Sequence, residues 1–324
     1  MVRKVKKRKL RIRKFVTFLL ALVIISWAYE SIVAPGNHGL FENEIEKEIT
    51  SPAPFKSKPD SCVSISSENL NSHNAILIRL EDNTILMQKN IDEIIYPASL
   101  TKMMTAIVAI ENLSHLEEEI TLTNSTFHGL YDAHASMAGF QPGEQVTAMD
   151  LLYGVMLPSG AECCIGLADQ IAGSEQNFVR MMNQKAADLG MKNTHFTNAV
   201  GLHEFDHYTT VKDLAILLNY ALQNDTFREV FTSFRYFTQP TNKHPQGITF
   251  YSTMFEQVNN QNIMHGEILG GKTGYTEEAG LCLASLAEKN NQEYILITAG
   301  AKGDHHSEQY NITDALTVYN SIGK

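Results

Sequence analysis

The chain has 324 residues, enough for one large domain, and it is 44% apolar and 19% charged, which is typical of a globular protein. Residues 1–14 contain nine Lys and Arg residues and no acid. Residues 15–324 contain the remaining 17 basic residues and all 36 acidic residues, so they carry a net charge of −19. A domain this acidic argues against nucleic acid as a partner.

An apolar run over residues 15–29 follows the basic segment and stops at Glu30. Basic residues before such a run, with none just after it, predict a cytoplasmic N-terminus and an extracytoplasmic remainder. The run is shorter than the roughly 20 residues of a typical span. In addition, Ser26-Trp27-Ala28 places small residues where a signal peptidase reads. Residues 1–34 are therefore predicted to be either a membrane anchor or a cleaved signal.

Residues 35–65 are broken by prolines and show no lasting hydrophobic period, which predicts a stalk before a folded domain over residues 66–324. The four cysteines lack the spacing of a zinc site, and we expect small buried hydrophobic residues rather than a disulfide framework. They are Cys62, Cys163, Cys164 and Cys282. The sequence predicts no cofactor and no metal.

In the folded domain, hydrophobic periodicity predicts strands at both ends and helices between them. The segments are a hairpin over 75–80 and 84–88, helices over 99–113, 160–172, 175–189 and 211–224, strands over 272–286 and 293–301, and a last helix over 308–319. This order predicts an α/β (α+β) fold, in which an antiparallel sheet is flanked by helices and carries an inserted helical lobe.

The first chemical motif is Ser99-Leu100-Thr101-Lys102 at the start of the first predicted helix. Residues three apart share a helix face, so the Lys102 amine can reach the Ser99 hydroxyl. A serine hydroxyl is a weak nucleophile until a base takes its proton. Lysine is such a base only where burial and neighbouring charge lower its pKa. Alone, this spacing is more typical of a helix cap beside a solvated lysine.

The second motif, Lys272-Thr273-Gly274, opens a predicted strand about 170 residues later. Its lysine can face a cleft, and Gly274 allows a substrate backbone to approach closely. A Ser-x-x-K motif followed by K-T-G is the order found in β-lactamases and penicillin-binding proteins. Between the two lies Ser159-Gly160-Ala161, where a Ser-x-Asn motif is expected.

Over residues 66–322 the chain resembles the low-molecular-mass penicillin-binding proteins, the serine-type D-alanyl-D-alanine carboxypeptidases. The resemblance includes the segments around all three motifs. It rests on residues 96–105, 143–147 with 151–154, 198–203 with 207–210 and 213–215, and 271–276 with 279–280. It implies a transpeptidase fold of the penicillin-binding and β-lactamase type.

The resemblance also implies a role for each motif residue. Ser99 would be the acylated nucleophile and Lys102 its base, while the Ser159 hydroxyl relays a proton to the leaving amine. Lys272 would supply positive charge. The backbone N–H groups of Ser99 and Tyr275 would form the oxyanion hole, and Thr273 and Thr276 would lie near the substrate carboxylate, with Gly274 between them.

Two features depart from the family pattern. Ala161 replaces an amide that in the family helps to hold the lysine and binds the substrate backbone, and Glu162 is the nearest residue that could take over its space. The arginine that assists carboxylate binding near the C-terminus of many relatives is also missing, and residues 301–306 offer only Lys302, His305 and His306 as basic residues.

The segment His203-Glu204-Phe205-Asp206-His207 fits the H-E-x-x-H pattern of zinc peptidases. That motif requires a helix, on which the two histidines share a face. Here it follows Gly201 directly, and the family resemblance places it in a loop. We therefore expect no zinc site, although sensitivity to a chelator would revive one.

The predicted function is removal of the terminal D-alanine from peptidoglycan stem peptides that end in D-Ala-D-Ala, through an acyl-enzyme on Ser99. β-Lactams would acylate Ser99 as covalent inhibitors. A D,D-endopeptidase or transpeptidase activity of the same site stays open. A catalytically weak peptidoglycan-binding homologue is the alternative that Ala161 suggests. A β-lactamase is disfavoured, because no deacylation loop bearing a glutamate is recognisable after Ser159.

Overall fold

The structure is a computed structural model that describes residues 54–56, 66–258 and 261–323. The predicted anchor or signal over residues 1–34, Cys62 and most of the predicted stalk lie outside the described residues. Within the described ranges, no helix is both long enough and apolar enough to cross a bilayer. The three other cysteines are free and buried, as predicted: Cys163, Cys164 and Cys282.

Strands and helices follow one another along the described chain in the predicted order. They are β1 (Asn74–Arg79), β2 (Thr84–Lys89), α1 (Lys102–Asn112), β3 (Glu119–Leu122), β4 (Glu144–Thr147), α2 (Ala148–Met156), α3 (Ala161–Ala172), α4 (Glu175–Asp188), α5 (Val211–Ala221), α6 (Asp225–Thr232), β5 (Arg235–Phe237), β6 (Thr249–Tyr251), α7 (Thr253–Gln257), β7 (Asn262–Ile263), β8 (Gly266–Thr276), β9 (Gly280–Lys289), β10 (Gln292–Ala301) and α8 (Tyr310–Ser321).

The main sheet is antiparallel and has the strand order β2-β1-β10-β9-β8-β7. Strands from the two ends of the domain therefore meet at the centre, where β1 pairs with β10. The chain between β2 and β7 contributes seven helices of the described part and two small two-stranded sheets, β3-β4 and β5-β6. The predicted α+β architecture with an inserted helical lobe is confirmed.

The main sheet is buried on both faces. Because side chains alternate along a strand, Ile76 and Ile78 of β1 pack under the helical lobe, while Ala75 and Leu77 pack in a second cluster with α8. Helix α1 runs through the middle of the lobe and is buried over Lys102–Ala109. A helix that is buried on nearly all sides holds its N-terminal end rigidly, and this end carries the first motif.

Helices α2, α6 and α7, strand β7 and the two small sheets were not predicted from the sequence, and two of the predicted elements differ in detail. The segment 272–286 is not one strand, since β8 and β9 are joined by a tight turn over residues 277–279. The Ala279 N–H donates to Thr276 Oγ1 at 3.1 Å, and Gly280 adopts φ +65°, a left-handed conformation that favours glycine. The first helix also begins later than predicted, because Ala98–Thr101 is a 3₁₀ turn that leads into α1.

Candidate active site

Ser99 lies in the 3₁₀ turn, and the side chain of Lys102 folds back towards it. Lys102 Nζ donates to Ser99 Oγ at 3.0 Å and to the Val200 carbonyl at 2.6 Å. Ala98, just before the serine, has φ +46°. A left-handed residue other than glycine costs about 1–3 kcal/mol and persists where the surrounding structure enforces it. The turn Ala98–Thr101, which we call the nucleophile turn after the predicted role of Ser99, is thus held in a strained conformation by its neighbours.

The Val200 carbonyl is positioned by the Asn198 loop, which we define as residues 198–203. The side-chain oxygen of Asn198 accepts from the backbone N–H groups of Val200, Gly201 and Leu202, and its side-chain nitrogen donates to the Leu202 carbonyl at 2.9 Å. Gly201 adopts φ +82° and passes so close that a Cβ there would lie 2.0 Å from the Ala98 carbonyl oxygen. The loop therefore presses on the nucleophile turn and supplies an acceptor to Lys102.

The second motif lies on β8, beside the same turn. A Cβ on Gly274 would lie 3.1 Å from the Ser99 nitrogen and 3.3 Å from the Leu100 nitrogen. Lys272 is fully buried, and its Nζ donates to the Thr273 carbonyl at 2.9 Å. The Thr273 hydroxyl lies 2.7 Å from that of Thr253. Glycine at 274 thus allows the K-T-G strand and the Ser-x-x-K turn to meet.

Both lysines are buried, and this changes their protonation. Burial lowers the pKa of Lys102, while the neighbouring ionisable side chains of Cys164, Glu162 and Cys163 act in the opposite direction. Burial lowers the pKa of Lys272 still further, and the charge of Lys102 adds to that effect. Two ammonium groups repel each other, so a charged Lys102 disfavours a charge on Lys272.

Ser159 lies between α2 and α3 in a left-handed conformation with φ +67°. It is 4% exposed, and its Oγ has no hydrogen-bond partner within the described residues. The next N–H, that of Gly160, donates to the Gly154 carbonyl at 2.8 Å and closes the loop. A buried hydroxyl without a partner is costly to keep, so its presence at this strained position indicates a functional role.

A cavity of about 160 Å³ brings the three motifs together. From the sequence-predicted set it is lined by Ser99, Ser159, Thr273, Gly274 and Tyr275. Lys102 and Lys272 are buried and do not line it, and the Thr276 hydroxyl accepts from the Ala279 N–H in the turn after β8. The cavity wall thus contains five of the eight predicted site residues, Lys102 contacts one of them through its hydrogen bond to Ser99, and Lys272 and Thr276 lie outside the lining on the same strand as Thr273.

Other residues line the cavity that the sequence analysis did not single out. They are Ser136, Thr253, Glu256, Gln257, Leu281, His305, Gln309 and Asn311. The ring of His305 contacts that of Tyr275 edge-on, with centroids 4.9 Å apart. Thr253, Glu256 and Gln257 share the short helix α7, and the others come from several segments without a common motif. Only the histidines near the missing arginine gave a signal in the sequence.

Glu162 does not occupy the space of the missing amide. It is fully buried on the first turn of α3, and its Oε1 accepts from the backbone N–H groups of Ala138 and Gly139 at 2.8 and 2.9 Å. Its other oxygen has no partner within the described residues. Burial raises the pKa of Glu162, and the donated backbone N–H groups oppose that rise.

The H-E-x-x-H segment lies in a loop between α4 and α5, so its two histidines do not share a helix face. His203 contacts the Tyr96 ring edge-on. His207 is buried, with Nε2 2.8 Å from the Thr101 hydroxyl and Nδ1 accepting from the Thr197 N–H at 3.0 Å. Burial, followed by the charges of His195 and His203, lowers the pKa of His207 to about 4. His207 thus supports the nucleophile turn as a neutral hydrogen-bonding side chain.

Comparison with known families agrees with this geometry. A family model described as D-alanyl-D-alanine carboxypeptidase (peptidase S11) matches residues 61–303. The chain belongs to the D-alanyl-D-alanine carboxypeptidase family.

Two curated members of the D-alanyl-D-alanine carboxypeptidase family illustrate the similarity. The chain is 33% identical over 230 residues to the D-alanyl-D-alanine carboxypeptidase DacF of Bacillus subtilis (strain 168), a match that covers 70% of this chain and 57% of the relative. It is 34% identical over 241 residues to DacC of Escherichia coli (strain K12), covering 71% and 56%. The chain thus spans little more than half the length of these relatives.

Solved structures share the fold. The Streptomyces K15 DD-transpeptidase superposes with a TM-score of 0.70 at 26% identity, covering 79% of this chain and 98% of that one. The D-alanyl-D-alanine carboxypeptidase of Mycobacterium tuberculosis H37Rv gives a TM-score of 0.68 at 23% identity, covering 79% and 92%. The second likeness concerns the fold alone. The predicted penicillin-binding fold is confirmed.

Proposed function

We propose that this protein is a serine-type D-alanyl-D-alanine carboxypeptidase that removes the terminal D-alanine from peptidoglycan stem peptides. One observation carries the proposal: within the family fold, the buried Lys102 amine lies 3.0 Å from the Ser99 hydroxyl, beside a cavity that Ser159 and Thr273 also line. A nucleophile, its base, a second hydroxyl and a polar strand are the parts that acyl transfer requires.

In the first step, Ser99 Oγ attacks the carbonyl carbon of the penultimate D-alanine, and the neutral Lys102 amine takes the hydroxyl proton. The carbonyl oxygen becomes an oxyanion that accepts from the backbone N–H groups of Ser99 and Tyr275. The carbon–nitrogen bond then breaks, the leaving amine gains a proton through the Ser159 hydroxyl, and D-alanine departs. Water hydrolyses the ester on Ser99 in the second step.

The two lysines differ in what they are asked to do. Lys102 must be neutral to act as a base, whereas Lys272 must be positive to attract the substrate carboxylate. Burial lowers the pKa of both lysines, and the positive charge of Lys102 lowers the pKa of Lys272 as well. A carboxylate bound beside Thr273 raises the pKa of Lys272 by direct attraction. Substrate binding therefore favours the charged form of Lys272, and a charged Lys272 favours the neutral form of the nearby Lys102 amine.

β-Lactams present an acyl group and a carboxylate in the same arrangement, and we propose that they acylate Ser99. A transpeptidase reaction uses the same acyl-enzyme with an amine in place of water. The similarity to a structure named as a DD-transpeptidase favours keeping this second candidate. We further propose residues 1–34 as an anchor or signal, 35–65 as a stalk and 66–324 as an extracytoplasmic catalytic domain.

The test uses the purified full-length protein and a pentapeptide that ends in D-Ala-D-Ala. We expect mass spectrometry to find loss of one alanine, and Ser99→Ala to abolish it. Adding a glycine or diamino-acid amine as acceptor separates the two candidates, because a transpeptidase forms the longer product. A chelator should leave the rate unchanged. Activity that disappears with the chelator and returns with Zn²⁺ would contradict the serine mechanism.

A further inference from the structure

The cavity wall beside Ser99 contains a third serine that no motif includes. Ser136 lines the cavity together with Ser99 and Ser159. Its carbonyl oxygen accepts from the Ala161 N–H at 2.8 Å, so it lies directly next to the position that lacks an amide side chain. Within the described residues its hydroxyl makes no hydrogen bond, and the residue is exposed on the cavity side. The hydroxyl is therefore available to a ligand.

The segment that carries Ser136 is fixed at several points. We call residues 134–141 the Ser136 loop. Glu162 accepts from the N–H groups of Ala138 and Gly139, and the Ala161 N–H holds the Ser136 carbonyl. Ala138 also packs against Gly160 so closely that a Cβ there would lie 2.7 Å from the Ala138 Cβ. Contacts on both sides of the serine thus set the position of its hydroxyl.

We propose that Ser136 is a substrate-binding residue whose hydroxyl donates to the carbonyl oxygen of the amide on the acyl side of the penultimate D-alanine. Glu162 is its positioning residue. The side chain of Ala161 can neither donate nor accept, whereas a serine hydroxyl rotates to suit its partner. Glu162 cannot make this contact itself, because one oxygen is engaged by the loop backbone and the whole side chain is buried.

The inference rests on the proposed function, and a pair of β-lactams tests it separately. Penicillin G carries a side-chain amide in the place of the substrate amide, and 6-aminopenicillanic acid lacks it. We expect Ser136→Ala to slow acylation by penicillin G about tenfold, the value of one hydrogen bond in a closed site. Acylation by 6-aminopenicillanic acid should change less than twofold. Ser321→Ala, a serine on the exposed side of α8, serves as the matched control and should change neither rate.

A second variant guards against a loss caused by misfolding. Ala161→Asn in the Ser136→Ala background should restore most of the penicillin G rate, and the same change in the wild type should bring a smaller gain. Ser136→Thr, which retains the hydroxyl, should keep the preference for penicillin G. Equal slowing with both β-lactams, or no slowing with either, would overturn the role of Ser136. Failure of the wild type to be acylated at all would instead overturn the proposed function.

Discussion

The Asn198 loop contacts the turn that carries Ser99, the Ser136 loop lines the cavity beside Ser99, and the two loops are held in different ways. In the Asn198 loop a neutral amide binds three consecutive backbone N–H groups, and the half-buried Glu175 accepts from the Ala199 N–H at 2.9 Å. In the Ser136 loop the fully buried carboxylate of Glu162 accepts from two backbone N–H groups, those of Ala138 and Gly139. The first presents a carbonyl to Lys102, and the second presents a hydroxyl to the cavity.

The two loops therefore act on Lys102 in two ways, through geometry and through charge. The amide of Asn198 fixes the geometry around Lys102 without contributing a net charge. The carboxylate of Glu162 fixes a loop and also acts on the lysine, because its negative charge opposes the lowering of the Lys102 pKa. Glu175 is also an acid that accepts a backbone N–H, but its charge is not among those that shift the Lys102 pKa. The comparison predicts that the hydrogen-bond geometry around Lys102 and the negative charge near it can be altered by separate substitutions.

The largest effect is expected when the Asn198 loop loses its side-chain acceptor. Asn198→Ala leaves three backbone N–H groups of a buried turn without their acceptor, each worth about 1–3 kcal/mol when unpaired. The Val200 carbonyl then moves away from Lys102. Acylation by penicillin should fall at least a hundredfold and the protein should lose about 2–4 kcal/mol of stability. Stopped-flow labelling and urea unfolding measure the two quantities. Asn198→Asp, which keeps the accepting oxygen, should lose much less, and equal losses in both variants would contradict this account.

A somewhat smaller effect concerns His207, which follows the Asn198 loop and contacts the nucleophile turn. Its folded pKa is lowered from 6.5 to about 4, so the unfolded chain binds the proton more readily. The stability is complete above pH 6.5 and is lost as the pH falls towards 4, by about 2–3 kcal/mol. Unfolding measured between pH 7 and 4 should show this slope. His207→Gln should be less stable at pH 7 but have a flatter profile, and an unchanged slope would assign the loss to other groups.

The charge itself should produce a moderate shift in the pH profile. Glu162→Gln keeps an oxygen to accept from the Ser136 loop but removes the negative charge, so the pKa of Lys102 should fall. Since only a neutral amine can act as a base, the acidic limb of the acylation profile should move to lower pH. Glu175→Gln is the matched control and should leave the limb in place. Equal movement in both variants would show that Glu162 has no special access to Lys102.

The smallest expected effect is a gain in stability. Lys272 is fully buried, and its lowered pKa means that folding is opposed by the ammonium form at every pH below its unfolded pKa. Lys272→Met keeps the side-chain volume and removes the cost of burying an ammonium group. The free energy of unfolding, measured by thermal denaturation, should therefore rise by about 1–2 kcal/mol, while acylation is lost. A destabilised variant would mean that the hydrogen bond to Thr273 outweighs the cost of burial.

The sequence revealed the parts of this site that lie on regular elements. Ser99, Lys102 and Lys272 follow from residue spacing on a helix start and a strand, and the hairpin and helices follow from periodicity. The supporting residues were missed because they depend on loops. Asn198 acts through backbone N–H groups, and the position of the Ser136 hydroxyl depends on contacts between segments that are distant in sequence. The left-handed conformations of Ala98 and Ser159 are likewise imposed by tertiary packing, which cannot be predicted from the identity of a single residue.

The central claim is that Ser99 is the residue acylated in this cavity, and peptide mapping of a penicillin adduct tests it most directly. The full-length protein is labelled with penicillin, digested and analysed by tandem mass spectrometry. We expect a single adduct on Ser99, which is absent in Ser99→Ala and strongly reduced in Lys102→Met. An adduct on another residue, or undiminished labelling of the Ser99→Ala variant, would contradict the account.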